Sequence, residues 1–318
     1  MEQTLPDSNK TESPAKPSRL WRILRWIPLT VMLLVIVSLL VLFLTGGLWK
    51  ITAWYLLQLV PPVLGLISLI AIMIYAIVKR RFSRLLIFTS LTALLSLLPA
   101  ILLVKPVIAY PASLESTTPS ATVRLPADVP LKVIWGGDKL ETNYHAAVPD
   151  QRWAYDLLVE PYNTGSDKPE EYGCYGVPVV APVSGPVVIA HDGEPDAVPG
   201  VLTNNFEAPT GNHVVIQLET GTYLIIAHLK QGSVLVQDGE TVQEGQVIAQ
   251  CGNSGNTSEP HIHIHHQRQD PAVFPVNFAE GLPLYFRDHD GDPMPVGGIK
   301  VEGDTVTATG DTVQHIGK

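Results

Sequence analysis

Three long stretches without a charged residue occupy most of the first third of this 318-residue sequence. Residues 26–49, 51–78 and 85–104 contain no Asp, Glu, Lys or Arg over 24, 28 and 20 positions. About 20 apolar residues in an α-helix cross a hydrocarbon core of about 30 Å. The sequence therefore predicts a transmembrane region at 26–109. Its three helices are expected at about 27–47, 54–78 and 85–105.

A cleaved signal peptide is the alternative for the first stretch. The apolar run is too long for one, and no small-residue cleavage site leads into a soluble chain. Pro61 and Pro62 could shorten the second span, which has residues to spare. Three crossings are therefore favoured over two.

The basic residues that flank these stretches predict the orientation. Five Lys or Arg lie in the tail at 1–25 and the segment KRRFSR joins the second stretch to the third, whereas Lys50 alone separates the first two. The positive-inside rule places the tail and the KRRFSR segment in the cytoplasm. We therefore expect a multi-pass protein of the cell membrane, in contact with the lipid bilayer, whose chain after Tyr110 lies outside the cell or in the periplasm.

Charge is divided unevenly between the two parts of the chain. Residues 1–110 hold eleven Lys or Arg against three Asp or Glu, and the remainder holds ten against 27. An acidic domain is a poor partner for phosphate groups, so no nucleic-acid ligand is expected. The only two cysteines, Cys174 and Cys251, lie in the acidic part. An oxidising compartment permits a disulfide between them without requiring one.

The composition changes twice after the last apolar stretch. Residues 110–122 are rich in Pro, Ser and Thr, which indicates a linker. Short β-branched runs separated by Gly, Pro, Asn and Asp follow, and this rhythm predicts an antiparallel β-sandwich or barrel. We assign the main domain to 123–285 and a less regular C-terminal extension to 286–318.

Four of the ten histidines fall within six residues, in the segment SEPHIHIHHQ. In a β-strand, His261, His263 and His265 share one face because side chains alternate with a period of two. His265 and His266 are interpreted as the continuation of the strand, and a contact between His265 and a metal ligand is the less favoured alternative. Two further histidines lie in suggestive contexts: His145 precedes Asp156 by eleven residues, and His228 ends the apolar run TYLIIAHL.

The order of three segments resembles a known enzyme family. GVPVVAPVSGPVV, GNHVVIQLETGTYLIIAHL and GETVQEGQVIAQCGNSGNTSEPHIHIH are similar to the core of the M23 zinc metallopeptidases, which include lysostaphin-like and LytM-like peptidoglycan endopeptidases. The similarity covers roughly residues 130–270. It implies a barrel-sandwich hybrid, the duplicated hybrid motif of that family, and one Zn²⁺ per chain.

The resemblance also implies roles for individual residues. His263 and Asp156 correspond to zinc ligands, and His228 and His261 to catalytic histidines that do not bind the metal. The family's third ligand is normally a histidine four residues before the aspartate, but Arg152 stands there. His145 is the natural substitute, as in a variant group with N-x-H followed by Q-R-x-A-x-D. Two histidines and one carboxylate leave zinc a position for water.

Three classes of function compete at this point. The favoured one is a membrane-anchored zinc endopeptidase that cuts peptides of peptidoglycan, with a regulatory membrane or wall protein as a further partner. The second is an inactive adapter of the same fold that binds cell wall or activates another hydrolase, and Arg152 is the feature that suggests it. The third is a lipoyl-like or biotinyl-like carrier. It is disfavoured because the hairpin at 234–252 contains no lysine to accept such a group.

Overall fold

A computed structural model describes residues 26–80, 83–105, 107–275, 277–303 and 305–317. The predicted cytoplasmic tail at 1–25, with its five basic residues, lies outside the described residues. The fold divides into two compact units. One contains the described residues up to Leu40 together with those within Tyr55–Leu103, and the other contains Val41–Trp54 together with the described residues from Val104 onward.

Three helices in the described part of the chain are long and apolar enough, by length and composition, to cross a membrane. The first is Ile27–Leu44 and the second Gly47–Lys79, which starts earlier than the sequence suggested. The third begins at Arg84 and is regular only to Leu95. A 3₁₀ turn at Leu98–Ala100 then precedes a last short helix at Ile101–Val104. The second helix continues through Pro61 and Pro62, which therefore do not shorten it.

The described residues of the second unit include fifteen short strands. They are β1 Ala121–Arg124, β2 Leu131–Trp135, β3 Tyr155–Leu158, β4 Pro178–Val180, β5 Gly185–His191, β6 Asn212–Gln217, β7 Tyr223–Leu229, β8 Thr241–Val242, β9 Val247–Gln250, β10 Ile262–Gln267, β11 Gly281–Leu282, β12 Leu284–Arg287, β13 Ile299–Glu302, β14 Thr305–Ala308 and β15 Thr312–Val313. Most pairs are antiparallel, and β1 with β12 is parallel. The expectation of a mainly antiparallel β domain is confirmed.

The largest sheet has the strand order β15-β2-β3-β10-β7-β6-β5-β8, and β11 pairs with the end of β10. Alternate residues of its central strands point into one apolar core, as Ile262 and Ile264 of β10 and Leu224 and Ile226 of β7 do. Both strands are buried along their whole length. The opposite face of β10 is therefore also enclosed, and the sequence places polar side chains there.

The predicted boundary between main domain and extension, at residue 285, falls within a strand. β12 spans it and pairs with β1 along Ala121–Arg124, which overlaps the end of the predicted linker. β15, from the predicted extension, pairs with β2 in the largest sheet. The largest sheet therefore contains strands from both the predicted main domain and the predicted extension.

Cys174 and Cys251 form a disulfide across 77 residues of sequence. Both are buried beside the apolar core, next to the pair of strands β4 and β9. The sequence left this pairing open. A covalent link over so long a loop stabilises the fold by restricting the unfolded chain, by about 2–4 kcal/mol.

Candidate metal centre and active site

Asp156 lies at the centre of the candidate site. It is on β3, directly opposite His263 of β10 in the antiparallel register. Its Oδ1 lies 2.7 Å from Nδ1 of His263, and its Oδ2 lies 2.9 Å from Nε2 of His145. Nε2 of His261 is 3.6 Å from Oδ1, beyond hydrogen-bonding distance. Adjacent strands thus bring together residues that are 107 positions apart in the chain.

His145 reaches Asp156 from a 3₁₀ helix at Tyr144–Ala147. Asn143, which is completely buried, caps this turn: its Oδ1 accepts from the backbone N–H of His145, and its Nδ2 donates to the carbonyls of Gly137 and Ala154. The asparagine therefore ties the histidine turn to the segment that leads into β3. Asn143 belongs to the N-x-H pattern, although the sequence gave no hint of its capping role.

Arg152 points away from Asp156 and has a structural environment of its own. Its guanidinium donates to the carbonyls of Tyr110 and Asp138, at 3.1 and 2.8 Å, and forms an ion pair with the Asp138 carboxylate at 3.0 Å. It also lies over the ring of Trp153, 4.9 Å from its centroid. Arg152 therefore joins the segment around Tyr110 to the β domain, and His145 stands near the carboxylate instead.

The two predicted catalytic histidines are held by backbone carbonyls. Nδ1 of His228 lies 2.8 Å from the carbonyl of Ser254, and Nδ1 of His261 lies 2.8 Å from that of Glu259. A carbonyl only accepts, so both rings carry a proton on Nδ1 and present the lone pair of a neutral Nε2. The ring centroids are 4.7 Å apart. Each ring thus has a bare nitrogen available as a base.

The backbone of His228 is unusual. Its φ is +62°, in the left-handed region that non-glycine residues seldom occupy, and such conformations cluster at functional sites. The conformation ends the regular alternation of β7 one residue before Leu229. It turns the imidazole toward Ser254 and His261.

Burial and charge set the protonation states at the site. Burial alone would raise the pKa of Asp156, but the electrostatic influence of His145 and His261 and close contacts with ring nitrogens of His145 and His263 hold it well below its usual range. Burial lowers the pKa of His228 well below its usual value, and repulsion from His261 and His263 adds to the effect. Burial also lowers the pKa of His263, although Asp156 opposes the shift. A carboxylate together with imidazole nitrogens is a suitable set of metal donors.

Two cavities, of about 540 Å³ and about 360 Å³, share Tyr144, His228 and Asn256 as walls. The larger also reaches His145 and His263, and the smaller reaches Asp156 and His261. Tyr144 and Asn256 were not predicted as site residues. The ring of Tyr144 stacks at 4.0 Å between centroids on that of His145, its neighbour in the chain. Asn256 lies in the loop CGNSGNTSEP, whose glycines and small polar residues are typical of a site wall.

The described residues include two sets that could hold a metal ion. One is His145, Asp156 and His263, and the other is His228, His261 and His263. In each set the donor atoms lie within 4.8 Å of one another. The first set contains the carboxylate and two histidines that suit catalytic zinc. In addition, Nδ1 of His145 is buried and has no hydrogen-bond partner among the described residues.

Comparison with known proteins gives an independent view of this domain. Residues 171–275 match the model of Peptidase family M23. That range contains His228, His261 and His263, whereas His145 and Asp156 precede it. The match therefore covers one side of the candidate site and leaves the other to the geometry described above.

Two curated relatives come from Vibrio cholerae serotype O1. The peptidoglycan DD-endopeptidase ShyA is 28% identical over 127 residues, which cover 40% of this chain and 28% of ShyA. The peptidoglycan DD-endopeptidase ShyC is 35% identical over 88 residues, which cover 28% of this chain and 18% of ShyC. The matched region thus spans less than a third of either relative.

Among solved structures, a zinc-containing peptidase from Vibrio cholerae is 21% identical, with a TM-score of 0.31, and the similarity covers 46% of this chain and 36% of that one. The family match and the two endopeptidase relatives agree with the motifs GETVQEGQVIAQCGNSG and HIH. The β domain of this chain therefore contains a region, residues 171–275, that matches peptidase family M23.

Proposed function

We propose that this chain is a membrane-anchored, zinc-dependent endopeptidase that hydrolyses peptide bonds of peptidoglycan. The observation that carries the proposal is the setting of Asp156. Each of its oxygens lies within 2.9 Å of an imidazole nitrogen, from His145 or His263, and two further imidazoles present bare nitrogens beside it. The family match and the endopeptidase relatives support the reaction class.

His145, Asp156 and His263 would hold one zinc ion. When bound, zinc lowers the pKa of a coordinated water toward about 7 and polarises the scissile carbonyl. The protein's own contribution to proton transfer comes from His228 and His261. Because Nδ1 of each ring donates to a carbonyl, a proton accepted from the attacking water goes to Nε2. The same Nε2–H can then donate to the amine leaving group or to the developing oxyanion.

Membrane attachment is supported by the three long apolar helices. The basic segment KRRFSR and the charged N-terminal tail favour an exterior β domain, where peptidoglycan lies. The Cys174–Cys251 disulfide fits an oxidising exterior compartment. Protease added to sealed spheroplasts should therefore cleave the β domain and spare the N-terminal tail. Cleavage only after lysis would place the domain in the cytoplasm and remove the proposed substrate from its reach.

The adapter hypothesis depended on Arg152. The hydrogen bonds of that residue to Tyr110 and Asp138 give it a structural role unrelated to metal loss. His145 supplies an imidazole at Asp156 in its place. The observation that favoured an adapter therefore has another explanation, and the enzyme is the better-supported function.

Zinc content of the full-length chain, purified in detergent, tests the proposal. We expect about one zinc per chain by elemental mass spectrometry and release of shortened peptides from purified peptidoglycan. His145→Ala should lose most of the zinc and the activity. His191→Ala is the matched control, because His191 is an exposed histidine on β5 that contacts Glu194 and His213 and lines neither cavity. Zinc-free wild type, or equal zinc in wild type and His145→Ala, would contradict the proposal.

A further inference from the structure

The side of β10 that carries His263 continues with two more polar side chains, His265 and Gln267. The three alternate along the strand and are all nearly inaccessible to solvent, with exposed fractions of 4%, 3% and 5%. Buried polar groups are costly unless they are hydrogen-bonded. Each of the three is bonded to the next, so that they form one chain of hydrogen bonds running away from Asp156.

The direction of this chain of hydrogen bonds is set at its far end. Nε2 of Gln267 donates to the carbonyl of Gln269 at 2.6 Å, which turns Oε1 of Gln267 toward His265. Nε2 of His265 lies 3.2 Å from that oxygen. An amide oxygen only accepts, so Nε2 of His265 must carry the proton. In a neutral imidazole the other nitrogen, Nδ1, is then bare.

The same constraint passes to His263. Nδ1 of His265, being bare, accepts from Nε2 of His263 at 2.9 Å. His263 therefore carries a proton on Nε2, and in its neutral form its Nδ1 has a free lone pair. That lone pair faces Oδ1 of Asp156 across 2.7 Å. Two acceptors at this distance repel each other unless a cation or a second proton lies beside them.

We propose that His265 and Gln267 are positioning residues that fix the tautomer of His263 and so direct the lone pair of its Nδ1 to the metal site. The inference rests on the proposed function, because it assigns a purpose to these two residues only if His263 is a ligand. Partners that orient a ligand histidine through its other ring nitrogen typically change metal affinity by about 10–100-fold when they are removed.

The neighbouring histidine of the same strand provides a matched control. His266 is as buried as His265, but it faces the other side of β10, where Nε2 contacts Oγ1 of Thr222 at 2.7 Å and Nδ1 contacts the carbonyl of Pro283 at 3.2 Å. Loss of His266 therefore perturbs the strand and its packing to a similar degree. It leaves the hydrogen bonds between Gln267, His265 and His263 in place.

The test is the zinc dissociation constant of the full-length chain in detergent, measured by competition with a chelator. His265→Phe keeps the ring volume and removes both nitrogens, so we expect the dissociation constant to rise about 10–100-fold. His265→Gln retains an acceptor and should recover most of the affinity. His266→Phe should stay within about threefold of wild type. The inference is overturned if His265→Phe also stays within threefold, or if His266→Phe loses as much affinity.

A second measurement keeps the inference separate from the proposed function. Histidine ¹⁵N spectra of the zinc-free chain should place a proton on Nε2 of both His263 and His265, and none on Nδ1 of His265. A proton on Nδ1 of His265 would refute the positioning role. If wild type binds no zinc, the proposed function fails, and these spectra still decide whether the tautomer of His263 is fixed as described.

Discussion

The two sides of the candidate site hold their histidines in different ways. On the Asp156 side, His145 and His263 point a ring nitrogen at a carboxylate oxygen, within 2.9 Å. On the loop side, His228 and His261 point Nδ1 at backbone carbonyls that belong to the segment 254–259. The carboxylate side gathers donor atoms around one charge, as a metal requires. The loop side leaves two bare nitrogens facing the cavities, as proton transfer requires.

This difference separates two roles that the residue type alone does not distinguish. All four imidazoles are buried. The partner of each ring decides which nitrogen is bare and in which direction the bare nitrogen points. His263 belongs to both sets of possible metal donors. Substitutions on either side of His263 therefore test which of the two sets binds the metal.

The largest expected effect is a loss of activity when a histidine of the loop side is replaced, with the zinc content unchanged. For His261→Gln we expect kcat to fall by about 10²–10⁴, because a general acid–base is removed. Zinc content should remain that of wild type, since Asp156, His145 and His263 are untouched. The measurement pairs peptidoglycan turnover with zinc stoichiometry on the same preparation.

His263→Gln is the counterpart on the carboxylate side and should lose zinc and turnover together. His228→Gln should behave like His261→Gln. If His261→Gln released zinc along with activity, the metal would belong to the alternative set of His228, His261 and His263, and the separation of the two sides would be wrong.

The sequence predicted part of this site, namely the histidines of β10 and the residues that the resemblance assigned to the same site. The period of two placed His261, His263 and His265 on one face, and the resemblance carried Asp156 and His228 to the same site. The shared face of the three histidines follows because a strand fixes side-chain direction locally. The three long uncharged stretches are likewise largely helical in the structure, although the bounds of all three helices differ from those expected.

The remaining features depend on contacts that no local pattern encodes. The tautomer of His263 is set by Gln267 through His265, and that requires knowing where the carbonyl of Gln269 lies. The environment of Arg152 is formed by the carbonyl of Tyr110, 42 residues away. His145 reaches Asp156 only because Asn143 binds the segment before β3. Tertiary folding supplies each of these partners, and the residue types therefore did not reveal them.

A smaller effect, on stability and not on the metal, should follow from adding a histidine at the family's usual ligand position. Arg152→His removes hydrogen bonds from a charged donor to the buried carbonyls of Tyr110 and Asp138, and each such bond is worth about 1.5–3 kcal/mol. We expect the melting temperature of the β domain to fall by roughly 5–25 °C. Zinc affinity should change less than about threefold, because Arg152 points away from Asp156 and His145 already occupies the position beside Oδ2.

Arg152→Lys separates charge from geometry in the same experiment. Lysine keeps the positive charge beside Asp138 but cannot reproduce the planar fork of donors, so it should restore only part of the lost stability. If Arg152→His instead tightened zinc binding tenfold or more at an unchanged melting temperature, the new imidazole would be reaching the metal. His145 would then be a replaceable neighbour of Asp156, and the carboxylate side of the site would have to be reassigned.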